Sequence, residues 1–209
     1  MFTANTIYCS VAIPPALRND YSFMQKTDGV FKLYFSHAYY AARTVLKPCL
    51  AEPPCGIYFN LGDEFDCFWP DQLRNKTKFY FNHSALLWLP HSYQEMCVMK
   101  GYHSSILLNI EPDLIAHYAA AYPYLDKLLE SRKQESAFVF SGYPIFLEES
   151  IVRSLKQIIT NGHGDVTRDE KNFMLCHQVM LEYFNHLAHI LRHRMVVKRD
   201  DDSLVGEIV

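Results

Sequence analysis

Two groups of histidines have spacings that could do chemistry. His83, His91, Glu95 and His103 fall in one stretch rich in turn signals. Imidazoles and a carboxylate converging from adjacent strands can hold a zinc, iron or manganese ion through three or four ligands. An His-x-His pair would set two of those ligands on one strand face, and this stretch lacks one. The spacing therefore predicts no metal, and ordinary turn and rim roles for these side chains. The second group is Glu182, His186, His189 and His193, at steps of four, three and four. On a helix of about 3.6 residues per turn those steps give one narrow sector. His189 and His193 have the His-x-x-x-His spacing of a helical metal pair. No third ligand from another element can be named, so a solvated polar face is expected.

The chain has no nucleophile elbow, P-loop or dinucleotide fingerprint. Gly162-His163-Gly164 follows a helical pattern and reads as a helix C-cap. Asp63, Glu64 and Asp66 cluster in a turn and read as a solvated loop. No catalytic residue, metal or cofactor is expected, and the chain does not read as an enzyme. The aromatic side chains of the first half are the better lead. Small-molecule sites are mostly apolar, with a few placed polar groups. Tyr58, Phe79, Phe81, Trp88 and Tyr93, with His91 as the polar group, form the expected ligand-binding set; Phe68 and Trp69 are further candidates. Thr77–Asn82 alternates, which predicts Phe79 and Phe81 on one face. Plain core packing is the competing reading.

The elements that must position these residues change near residue 111. Before it, strand-sized runs alternate with turns: Val30–Ser36, Ile57–Leu61, Thr77–Asn82, Ala85–Leu89, Gln94–Met99 and His103–Ile110. Such spacing predicts an all-β sandwich or barrel. After it the period is helical. Pro112 and Pro123 suit the first turns of helices ending near Ala121 and Arg132, and Pro144–Ile159 reads as a third. The fourth runs from Thr167, whose spacing to Glu170 is that of a capping box, to about Val196. Phe173, Cys176, Met180, Phe184, Leu187 and Leu191 form its apolar stripe, widened by Tyr183 and Ile190. The expected division is 1–110 (β), 111–197 (helical) and 198–209. In the last segment Lys198–Asp202 reads as a linker, and Ser203 onward as the start of a helix cut short, where a further domain would begin.

Composition sets outer limits. Apolar residues are 49% and aromatics 14%, enough for a packed core. Residues 1–110 hold 9 basic and 8 acidic side chains, and residues 111–209 hold 11 and 15. Neither half is a basic surface for nucleic acid. No apolar run nears the roughly 20 residues of a membrane span. The six cysteines are scattered without a Cys-x-x-Cys pair, as expected of reduced thiols in a cytoplasmic protein.

The order of these elements resembles the N-terminal part of AraC-type transcription regulators. Ser84-Ala85-Leu86-Leu87-Trp88-Leu89-Pro90-His91 looks like a strand ending in that family's Leu-x-x-x-Pro step. Gly101–Ile110 looks like its next core strand, and Glu111-Pro112-Asp113-Leu114 like the helix opening. Tyr122-Pro123-Tyr124-Leu125-Asp126-Lys127-Leu128-Leu129 and Val179-Met180-Leu181-Glu182-Tyr183-Phe184 resemble later helical segments. The likeness covers about residues 56–209. It implies an α+β fold, a cupin-like β-barrel or sandwich followed by a helical subdomain. It implies a small-molecule effector and a homodimer, for which Tyr183, Leu187 and Leu191 are the expected interface. The family's helix-turn-helix signature is absent, so DNA would be met only through a domain outside this chain. The alternative from another class is a stand-alone metal-dependent cupin enzyme using His83, His91 and His103.

Overall fold

A computed structural model describes residues 21–27, 30–46, 52–63, 65–68, 76–90, 96–98, 100–161 and 166–204. Among the described residues nine strands come first: β1 (Tyr21–Thr27), β2 (Phe31–Tyr40), β3 (Thr44–Leu46), β4 (Cys55–Asn60), β5 (Phe65–Phe68), β6 (Lys76–Phe79), β7 (His83–Trp88), β8 (Met96–Val98) and β9 (Gly101–Ile110). Helices α1 (Pro112–Ala119) and α2 (Leu125–Lys133) follow. Then come β10 (Phe138–Phe146), α3 (Glu149–Asn161) and α4 (Val166–Leu204). The fold is α+β, and the strand pairs are antiparallel. One sheet has the order β1-β2-β9-β4-β7-β10 and the other β3-β8-β5-β6.

Alternation gives the six-stranded sheet two apolar faces. Phe31 and Leu33 of β2, Ile57 and Phe59 of β4, Leu86 and Trp88 of β7, and Ile106, Leu108 and Ile110 of β9 point one way. Ile115, Leu125, Leu128, Ile151, Leu155, Ile158 and the α4 stripe cover them. Ala38, Tyr40, Ala85, Leu87, Leu89 and Leu107 point the other way, where Phe79 of the four-stranded sheet joins them. A sheet apolar on both faces must be covered on both, which makes the fold layered. The β strands and the helices thus share one core rather than packing separately.

Three differences from the sequence reading concern element ends. Pro144 lies inside β10, not at the start of a helix; α3 begins at Glu149. β10 pairs with β7 on both sides of an irregularity between Phe140 and Ile145, where a residue without an N–H is tolerated. So the stretch after residue 111 supplies a strand as well as helices. Thr167 lies within α4 rather than ahead of it. Lys198–Asp202 continues α4 and is not a linker, and Ser203 sits in its last turn instead of opening a new helix. No glycine or proline occurs between Gly164 and Gly206. Once a helix is running, each further residue adds a hydrogen bond, so polar residues extend it.

Candidate functional site

The expected ligand-binding residues divide between the two faces of the six-stranded sheet. Tyr58 and Phe79 meet in the layer between the sheets, with ring centroids 5.1 Å apart at 71°. Leu87 and Leu107 are buried beside them. Tyr40 and His103 join that face with centroids 5.3 Å apart. His83 starts β7 on the same face, two residues before Ala85. Asn60, opposite His83 on β4, closes this end of the layer. Its Nδ2 donates to the carbonyls of Asp63 (3.0 Å) and Tyr80 (2.9 Å), and its Oδ1 accepts from the Gly62 N–H at 3.3 Å.

Trp88 is on the opposite face, among the helices, with the Arg132 guanidinium 5.8 Å from its ring centroid. It cannot line a site with Tyr58. Phe81 is 56% exposed in the turn between β6 and β7. β6 ends at Phe79, and Asn82 turns the chain at φ 54°, a left-handed conformation that asparagine tolerates. The alternation therefore stops before it can place Phe81 beside Phe79. His91, Tyr93 and Glu95 lie outside the described residues, as do Trp69 and Gly162-His163-Gly164. Of Phe68 only the backbone is described, at the end of β5.

The expected dimer interface is also rearranged. Tyr183 and Leu187 are wholly buried inside the chain's own core, and Leu191 packs against it. Tyr183 packs edge-on to Phe59, centroids 6.3 Å apart. Burial pushes its phenol far above the usual range, and the hydroxyl has no hydrogen-bond partner among the described residues. The α4 stripe is wide because it serves the sheet on one side and α3 on the other. Aromatic contacts fasten α1 and α2 to it. The Tyr118 hydroxyl lies 2.8 Å from His177 Nε2, Tyr122 donates to Asn185 Oδ1 at 2.8 Å, and Tyr124 to the Phe184 carbonyl at 2.9 Å. Burial also raises the Tyr124 phenol, with Tyr183 and then Tyr122 adding to it.

The helical His/Glu sector is partly covered. His186 Nδ1 lies 2.6 Å from Glu148 Oε1, just ahead of α3, and Glu182 Oε1 accepts from Gln178 at 2.7 Å. His189 is exposed, and the side chain of His193 is outside the described set. Among the described residues no three His, Cys, Asp or Glu side chains are grouped to hold a metal ion. Burial pushes the Cys55 thiol from 9.0 up to about 12, with Arg132 opposing and Glu111 adding, and does the same to Cys176. Neither is a poised nucleophile, since the thiolate is the reactive form. Asp63, read as part of a solvated acidic loop, accepts the Tyr102 N–H through Oδ2 at 2.8 Å.

Sequence reading missed Tyr40 and Asn60. Tyr40 could have been found by extending the alternation of β2 by two steps. Asn60-Leu61-Gly62-Asp63 is a local turn signal that could have found Asn60, whose bonds to Gly62 and Asp63 lie within it; only its third partner, Tyr80, comes from a distant turn. Among the described helices, none is long and apolar enough to cross a membrane. Compared with known proteins, the chain matches no family model, no curated protein and no solved structure.

Proposed function

We propose that this chain is the ligand-sensing and dimerisation region of an AraC-type transcription regulator, with a cupin-like β half. In this reading it acts on DNA only through a helix-turn-helix domain outside the chain, works in the cytoplasm and performs no catalysis. The observation that carries it is α4. This helix shares its core with the six-stranded sheet, through Phe31–Phe173 (5.5 Å) and Phe59–Tyr183 (6.3 Å). It then continues to Leu204, past Leu191, the last of its described side chains in that core. A small molecule that shifts the sheet also shifts the helix, and so the spacing of whatever the helix carries. The effector belongs in the layer around Tyr58 and Phe79. The homodimer contact must use the outward face of α4, where Val166 and Met174, eight residues apart, are exposed apolar residues.

The test is a fusion of this chain, through Leu204, to a helix-turn-helix domain that binds its operator only as a dimer. The expected result is operator repression in cells and a dimer by light scattering at micromolar concentration, both lost in Met174→Glu. A monomer with no repression overturns the reading.

A further inference from the structure

We infer that His83, with Tyr80 and Phe146, forms a subsite for a flat aromatic molecule bearing a neutral O–H or N–H donor, a phenol or an indole. His83 Nδ1 lies 2.6 Å from the Phe81 carbonyl oxygen. A carbonyl only accepts, so Nδ1 carries the hydrogen, and in the neutral ring Nε2 then presents a bare lone pair. His83 is 8% exposed, and its Nε2 is buried with no hydrogen-bond partner among the described residues. A buried acceptor without a donor is costly to leave, and native folds rarely do so.

The rings around it are the reverse case. Tyr80 and Phe146 pack on His83 at tilted angles of 52° and 44°, with centroids at 5.3 and 4.3 Å, yet they are 40% and 67% exposed. Large aromatic surface left in water next to a buried acceptor is one complementary pattern. A planar ring that shifts the Phe146 or Tyr80 side chain to reach Nε2, lies against it and donates to that nitrogen satisfies both at once. A metal ion is a poor fit, because no second and third ligand group with His83 among the described residues. An ammonium is a poor fit too. Its desolvation calls for a carboxylate, and none pairs with His83 there. The subsite lies at the Asn60 end of the inter-sheet layer. It rests on the regulatory reading only for the use made of the ligand, not for the binding.

Phenol and anisole are the probes, because they share a ring and differ in the donor. Protein labelled with ¹⁵N-histidine is titrated and the His83 Nε2 resonance followed. Phenol is expected to move that resonance saturably, and anisole to bind about tenfold more weakly, the value of one net hydrogen bond. His83→Phe keeps a stacked ring and removes the acceptor, so phenol and anisole should then bind alike. Phe146→Ala should weaken both probes together, with the folded spectrum retained. Equal binding of the two probes to the unaltered protein overturns the proposal. So does a resonance that does not move, or a phenol preference that survives in His83→Phe. Oligomeric state is read separately, so failure of the dimer leaves this result standing.

Discussion

Gly56 on β4 and the Leu108 carbonyl on β9 approach so closely that a Cβ on the glycine would fall well inside contact distance of that oxygen. Asn109 Cα and the Ile110 nitrogen would both stand 3.1 Å from it. The obstacle is backbone in the central strand pair of the larger sheet, and cannot rotate aside. Beside it the Cys55 N–H donates to Asn109 Oδ1 at 2.6 Å, a further tie that fixes the register. Gly56→Ala should therefore cost about 3 kcal/mol or more, the upper end for overpacking. Urea unfolding with an unchanged slope and a lowered midpoint would confirm it; a midpoint within error of the parent would refute it.

Leu187 and Tyr183 serve the interior. Leu187→Ala should cost about 2–5 kcal/mol, and Leu187→Glu should abolish folding by burying an unpaired charge. Tyr183→Phe should leave stability unchanged within about 1 kcal/mol or raise it, because the buried hydroxyl has no hydrogen-bond partner to lose among the described residues. Thermal melts decide this. A folded, stable Leu187→Glu protein with altered oligomeric state would place the residue at an interface instead.

Burial keeps the Cys55 and Cys176 thiols protonated up to about pH 12 in the fold, against 9.0 without it. An unfolded chain therefore releases these protons first as pH rises. Their contribution to stability is complete below pH 9 and is lost as pH climbs from 9 toward 12. Urea midpoints should fall across that window, beyond the change in a Cys55→Ala/Cys176→Ala protein compared over the same range. At pH 8, alkylation followed by peptide mass analysis should find both cysteines unmodified in the native protein and modified in denaturant.

Metal content separates the regulatory reading from a metal-dependent enzyme. Protein purified without an affinity tag should carry much less than one equivalent of zinc, iron or manganese. One equivalent that disappears in His91→Ala/His103→Ala would overturn the regulatory reading in favour of the enzyme.

Periodicity alone determined much of this protein. The runs at Ile57–Leu61, Ala85–Leu89 and His103–Ile110 became β4, β7 and β9, and the Phe173–Leu187 stripe became the buried side of α4. Each of these signals is local, since a strand or helix writes its period into its own residues. Pairing decided the rest. β10 is a strand because β7, some fifty residues earlier, offers it an edge, and nothing near Pro144 records that partner. Alternation shows which residues of one strand share a face, but only register shows which faces of two strands coincide. That is why Tyr58 and Trp88, both aromatic and both on central strands, were expected together and lie on opposite sides of the sheet. The same holds for Tyr183. A wide apolar stripe requires cover, and only the tertiary structure shows that the sheet and α3 supply it.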